Sequence, residues 1–343
     1  MQAVLEPLED YPKIIGFERT HTQVGDCVIA IKALYALKSL YPNSKLIIFT
    51  DFKGGGQLYS YLNLADSIID VETQNNKEQN LSNALNANPV DVLLLLHRTS
   101  WKIKVARNSP AKCIITELHM HNLLDARFKT PRMMISYFVH GSEKVLRLVR
   151  RINSKYYDNA ISSIDFTQVQ FHIPQENEAI IDNLLTQTNA KNYCGIIGVN
   201  PFGSSAHFNF DTQDWIHLTQ ELATQFPNLL FVLLTYQNNP YKLKPFKANN
   251  ITIFENDNQL ITLVALTKRL NLLLSLNTGN IHIADVLRIP TLIINKTKER
   301  YNCIGGSYGG EFDAIYLPKN WRKNYQHYYQ TYTQRAIKKL QAL

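Results

Sequence analysis

The chain alternates short apolar runs with longer segments in which apolar residues recur every three or four positions. Runs at residues 14–17, 46–49, 67–71, 92–96 and 113–116 are short and bounded by turn residues, which predicts buried strands. After the first run, Cys27, Ala30, Ile31 and Leu34 fall at i, i+3, i+4 and i+7, the inward stripe of an amphipathic helix that Tyr41, Pro42 and Asn43 close. The pattern begins again beyond a linker at 171–174, with a helix over 176–186 and apolar runs at 195–199, 229–234, 251–254, 272–276 and 291–294. Strands alternating with helices predict an α/β fold of parallel sheets covered on both faces. A chain of 343 residues, 45% of them hydrophobic, can bury a large core, and the repeated pattern divides it into domains at 1–174 and 175–320. A helical segment, 321–343, follows, with Tyr325, Tyr328, Tyr329 and Tyr332 along one side.

Two polar turns interrupt this pattern where chemistry is expected. Asn277, Thr278 and Gly279 stop the run at 272–276, Ile281, Ala284 and Asp285 begin a short helix with His282 in its first turn, and Pro290 ends it. A strand running straight into a helix start aims free amides and the positive dipole end above the sheet, which suits a phosphate. The structural alternative is an ordinary Asn or Thr helix cap. The second turn carries Gly25 and Asp26 at the head of the first helix, where Asp26 alone reads as a capping carboxylate worth about 1 kcal/mol. Gly54, Gly55 and Gly56 lack the Lys-Ser/Thr ending of a phosphate loop and read as a turn that permits close packing.

Composition narrows the classes. Lys and Arg number 36 against 28 Asp and Glu, a formal charge of +8 that calls for an acidic partner. No nucleic-acid-binding motif is present, and basic residues gather in three separate runs, 97–112, 144–155 and 319–339, which read either as solvated faces or as contacts to anionic lipid. Cys27, Cys113, Cys194 and Cys303 are scattered, which argues against a zinc site and a disulfide scaffold. His119, His121 and His140 lack an acidic partner at ligand spacing, so no metal is expected. The first residues do not form a secretory signal and no run approaches the roughly 20 apolar residues of a spanning helix, so a cytoplasmic protein is expected.

The ordered set of turns resembles the ADP-heptose:lipopolysaccharide heptosyltransferases, glycosyltransferase family 9. Thr22, Gly25 and Asp26 match the family's N-terminal loop, the turn after 195–199 with Gly203, Ser204 and Ser205 opens the second domain, and Trp215 takes a later aromatic position. Asn277, Thr278, Gly279 and His282, followed by Ala284 and Pro290, stand where the family has Asp-Thr-Gly, two residues, His, a helix and Pro. Two departures stand out. Asn277 replaces a carboxylate with a neutral amide, and Phe208, next to His207, occupies the place of a Lys that helps neutralise the donor diphosphate. Lys296, Lys298 and Arg300 are the candidate replacements for that charge.

The resemblance implies a GT-B fold: two facing Rossmann-like domains with a cleft between them, and a C-terminal helix crossing back onto the first. It implies an inverting, metal-independent transfer of heptose from ADP-heptose to the lipopolysaccharide inner core, with no cofactor beyond the donor. Asp26 would be the base. Gly203, Ser204, Ser205, His207, Tyr236, Asn277, Thr278, Gly279 and His282 would hold the donor, and His21, Thr22, Gly25, Arg98 and Lys102 the acceptor. Residues 117–132, rich in His and Arg, read as a surface loop or an acceptor-binding loop. The expected partners are the nucleotide sugar, the acidic lipid A/Kdo core and the anionic inner-membrane surface, with the chain a monomer on the cytoplasmic face. The competing readings are a relative using another nucleotide sugar and a catalytically silent sugar-nucleotide- or glycan-binding protein of the same fold. A nicotinamide-dependent dehydrogenase is disfavoured because the glycine-rich dinucleotide fingerprint is missing.

Overall fold

The computed structural model describes residues 12–120, 122, 125–131, 139–203, 210–241, 243, 246, 248–257, 259–297 and 305–343. The chain divides into two compact units between Gln170 and Phe171, four residues before the boundary expected from the sequence.

In the first unit the strands are β1 (Ile14–Arg19), β2 (Lys45–Thr50), β3 (Ser67–Asp70), β4 (Val92–Leu95), β5 (Cys113–Thr116) and β6 (Phe128–Lys129). They form one parallel sheet in the order β3-β2-β1-β4-β5-β6, with Ile14 opposite Lys45 and Glu18 opposite Leu95. Helices α1 (Val24–Leu40), α2 (Lys77–Ala87), α3 (Ser100–Arg107), α4 (Gly141–Arg150) and α5 (Ser154–Ala160) accompany it. Helix α1 buries Cys27, Val28, Ala30, Ile31, Ala33 and Leu34 among others, a wider face than one stripe, because it also packs against α4. The edge strand β6 was not expected. It lies inside the run read as a loop, and its two residues carry too little periodicity to be seen in sequence.

The second unit repeats the plan. It contains α6 (Gln175–Gln187), β7 (Gly195–Asn200), α7 (Thr212–Gln225), β8 (Leu229–Tyr236), β9 (Ile251–Asn256), α8 (Leu260–Lys268), β10 (Leu272–Leu276), α9 (Gly279–Val286), β11 (Thr291–Lys296), β12 (Phe312–Leu317) and α10 (Tyr325–Leu340). The sheet is parallel, ordered β12-β11-β10-β7-β8-β9, the same 3-2-1-4-5-6 arrangement written from the other edge.

Helix α10 packs on the second unit's own sheet: Tyr332, Ala336 and Leu340 are buried in that core with Phe210, Trp215 and Trp321. The Tyr332 hydroxyl donates to Leu292 O at 3.0 Å, and the Phe210 ring lies 5.4 Å from Tyr329 and 5.7 Å from Tyr332. Aromatic rings of this size bury large apolar areas, which ties the C-terminal segment to the sheet from which it emerges. Trp215 is therefore core, fully buried under this cluster.

Candidate functional site

Both sheets have a switch point, β1/β4 and β7/β10, where successive connections leave in opposite directions and open a crevice above the strand ends. Among the described residues, His21, Thr22, Gly25, Asp26, Arg98 and Lys102 lie by the first, and Gly203, Asn277, Thr278, Gly279 and His282 by the second.

At the first, β1 ends in three buried polar residues, Glu18, Arg19 and Thr20. Buried charges require partners. Glu18 Oε1 lies 2.7 Å from Lys102 Nζ and accepts from Thr20 N at 2.9 Å and from Thr20 Oγ1. Lys102 Nζ also donates to Thr20 O at 2.7 Å. Arg19 Nη2 donates to Asp26 O at 2.9 Å and sits 3.3 Å from Asp26 Oδ1, while the Asp26 side chain stays 43% exposed. The carboxylate is thus braced from below and open above. Between them His21 takes φ 51°, a left-handed conformation uncommon outside glycine, and presents its exposed ring edge-on to Trp101 at 6.4 Å. Thr22 Oγ1 lies 3.3 Å from Cys27 Sγ, and burial raises the Cys27 thiol pKa, which keeps it protonated. His97, just beyond β4, is pushed down to about 4 by burial and then by Arg19 and Lys102, so it is neutral at physiological pH.

A groove of about 1040 Å³ opens beside Asp26. His21, Thr22 and Asp26 line it together with Lys53, Gln74 and Lys77. Asp51, also lining it, accepts from Thr73 Oγ1 and from Lys53 N at 3.0 Å. Lys53 Nζ donates to Gln74 Oε1 at 3.3 Å, and Lys77 Nζ stands 5.2 Å from the Trp101 ring centre. Hydroxyls, amides and single charges spread along an open groove suit a polyhydroxylated ligand. The glycine turn closes tightly here: a Cβ on Gly54 would meet Thr22 O at 2.6 Å, and one on Gly56 the Thr50 hydroxyl at 2.0 Å.

Two expectations change. Asp26 does not cap α1: Gln23 is the N-cap, and Asp26 is the third helical residue, paired with Arg19. Lys102 does not face a ligand, since its side chain is 1% exposed beneath the loop. Arg98 is exposed but engaged, donating to Leu118 O at 2.9 Å with Glu117 Oε2 at 3.4 Å. Gly25, the second residue of α1, is half-buried next to Asp26. The sequence reading missed Asp51, Lys53, Thr73, Gln74 and Lys77, which stand after β2 and β3 without a motif. It also missed Glu18, whose signal was a carboxylate at the end of an otherwise apolar strand.

At the second switch point, Asn200 and Ser275 are register partners, and Asn200 Nδ2 donates to Ser275 Oγ at 3.1 Å and to Thr278 Oγ1 at 2.9 Å. Thr278 is the N-cap of α9, but with its hydroxyl turned to Asn200 no side chain caps the helix. The start of α9 at Gly279 therefore keeps its anion-binding character. A Cβ on Gly203 would lie 2.6 Å from Thr278 Cγ2, so the turn after β7 and the turn after β10 are in contact. Asn277 Nδ2 donates to Asn295 Oδ1 at 3.1 Å, and that same oxygen accepts from Lys296 N at 2.7 Å. Tyr236, ending β8, is 38% exposed. His282 is buried, which limits its contact with a ligand, and Asp285 accepts from Gly306 N and Ser307 N. Ser204, Ser205, His207 and Phe208, and likewise His121, Lys298, Arg300 and Cys303, lie outside the described residues. Among the described residues no cluster of three or more His, Cys, Asp or Glu could hold a metal, and no helix is long and apolar enough to cross a membrane.

No protein-family model and no curated protein matches the sequence. Solved structures do. The chain is similar to a glycosyl transferase family 9 protein from Veillonella parvula, with a TM-score of 0.70 at 15% identity over 91% of this chain and 87% of the other. It is similar to the Escherichia coli ADP-heptose lipopolysaccharide heptosyltransferase II, with a TM-score of 0.65 at 12% identity over 95% and 99%. It also resembles E. coli heptosyltransferase WaaC with ADP, with a TM-score of 0.59 at 13% identity over 93% and 99%. At these identities the likeness shows a shared fold, the two-unit α/β architecture of these enzymes.

Proposed function

We propose that the chain is a glycosyltransferase that moves a sugar from a nucleotide-diphosphate donor to a glycan hydroxyl, with inversion and without a metal or other cofactor. The observation that carries this reading is the division of chemistry between the switch points: an exposed, braced carboxylate beside a polar groove in one unit, and an uncapped helix start beside a close glycine turn in the other. Asp26 accepts the proton of the acceptor hydroxyl as its oxygen attacks the anomeric carbon, and the bond to the diphosphate breaks on the opposite face. The amides at Gly279 and the hydroxyl of Thr278, with the Gly203, Ser204 and Ser205 turn, receive the negative charge of the departing nucleoside diphosphate. Tyr236 and Asn277 border the donor, and His21, Thr22, Lys53, Gln74 and Lys77 the acceptor.

The specific form is transfer of heptose from ADP-heptose to the acidic lipid A/Kdo inner core of lipopolysaccharide by a monomer on the cytoplasmic face of the inner membrane. The fold of the E. coli heptosyltransferases and the net charge of +8 support it. Thermal melting of the protein with ADP, UDP, GDP and CMP tests the donor, because a ligand at 100 times its Kd stabilises by about 2.7 kcal/mol. Selective stabilisation by ADP, followed by ADP release from ADP-heptose in the presence of deacylated Kdo–lipid A, is the expected result. Failure of all four nucleotides to raise the melting temperature would refute the donor site.

A further inference from the structure

The buried pair of Glu18 and Lys102 has no place in the chemistry just described, yet both side chains are at most 1% exposed. A pair of this kind is a weak source of stability, since the loss of hydration of two charges offsets their attraction. Its contacts point to another role. Between them the two side chains fix every backbone and hydroxyl group of Thr20: Lys102 Nζ donates to Thr20 O, and Glu18 Oε1 accepts from Thr20 N and Thr20 Oγ1. The next residue is His21 at φ 51°, a conformation that persists only where the surroundings over-determine it. At the far end of the same loop Arg19, itself 5% exposed, holds Asp26 through its carbonyl and its carboxylate.

We propose that Lys102 is a positioning residue for Asp26: by clamping Thr20 against Glu18 it fixes the course of residues 20–23 and with it the place of the Asp26 carboxylate. The functional half of this inference rests on Asp26 being the base. The structural half does not.

The test compares wild type with Glu18→Gln/Lys102→Met, a double variant that removes both charges and so leaves no buried ion unpaired. Five quantities are read on one preparation: melting temperature, ADP affinity, kcat and acceptor KM for transfer from ADP-heptose to deacylated Kdo–lipid A, and amide hydrogen exchange. The expected result is a kcat lower by about 100-fold, the scale of a 1 Å misplacement, with ADP affinity within twofold and acceptor KM raised, because His21 and Thr22 of the same loop line the groove. Exchange should speed up at residues 20–26 while the amides of β1 and β4 stay protected. Unchanged exchange at 20–26, or unchanged kcat, overturns the proposal. Loss of protection across the whole first sheet also overturns it, by reducing the pair to a folding element. If the wild type releases no ADP, the transferase reading fails, and the exchange measurement still decides whether Lys102 holds the loop.

Discussion

Gly203→Ala probes the contact between the turn after β7 and the turn after β10, the two halves of the proposed donor site. The added methyl would stand 2.6 Å from Thr278 Cγ2, roughly 0.8 Å inside the 3.4 Å at which ordinary contact begins, and 3.0 Å from Leu276 Cδ1. Leu276 presents a flexible tip that can turn aside. Thr278 cannot do so freely, because rotating its Cγ2 away also moves Oγ1 off Asn200, a hydrogen bond worth about 1 kcal/mol. Overpacking of this size costs about 1–3 kcal/mol. If the turns separate to relieve it, ADP affinity should fall by about 5- to 150-fold. Thr278→Ser keeps the hydroxyl and removes the methyl, so alone it should bind ADP nearly as wild type, and Gly203→Ala/Thr278→Ser should recover most of the loss. Calorimetric titration with ADP and thermal melting on the four proteins complete the cycle. Wild-type affinity in Gly203→Ala, or a double variant as weak as the single, would refute the reasoning.

Asp26→Asn should lower turnover by about 100- to 10,000-fold while ADP affinity holds. Its melting temperature should fall by only a few degrees: no cap is lost, and the buried Arg19 gives up the charge of its half-exposed partner but keeps its bond to the Asp26 carbonyl. A clear drop in melting temperature with near-normal turnover would reverse that assignment. His97 is held down to about 4 by burial, Arg19 and Lys102. The unfolded chain therefore takes up its proton first, and stability is lost as pH falls from the ordinary histidine pKa near 6.5 towards 4, by up to about 3 kcal/mol. Melting curves of wild type and His97→Gln between pH 7.5 and 4 check this, the variant being expected to lose less on acidification. Asn277→Asp should lower the melting temperature by a few degrees, since a carboxylate oxygen would replace the amide that donates to the buried Asn295 oxygen. An unchanged melting temperature would show that Asn295 adapts and would refute this role of the amide.

The α/β class was legible because it rests on local regularities. A strand buried on both faces needs an unbroken apolar run, and a helix lying on a sheet needs apolar residues every three or four positions; both requirements are written into β1, α1, β10 and α9. The turn at Asn277, Thr278 and Gly279 was legible for a similar reason, since an abrupt change from strand to helix demands small residues, whereas Gly25 and Asp26 lie inside the first turn of α1 behind Gln23. Strands β6 and β12 were not, because edge strands are only partly buried and their patterns are faint.

What the sequence determined by itself was therefore the class of fold, the number of units and the positions at which each sheet could carry chemistry. Tertiary structure decided which residues share those positions. Lys102 read as an acceptor-binding cation and became a buried partner of Glu18, since burial depends on strands β1 and β4 lying side by side. Gly203 and Thr278 touch, and Lys53 and Gln74 join Asp26 at one groove, because parallel sheets gather the ends of strands that are far apart along the chain. The tyrosines of α10 show the limit most clearly: their spacing specified a packing face, but an apolar face is non-directional, and only the assembled second sheet with Phe210 and Trp215 fixed what it packs against.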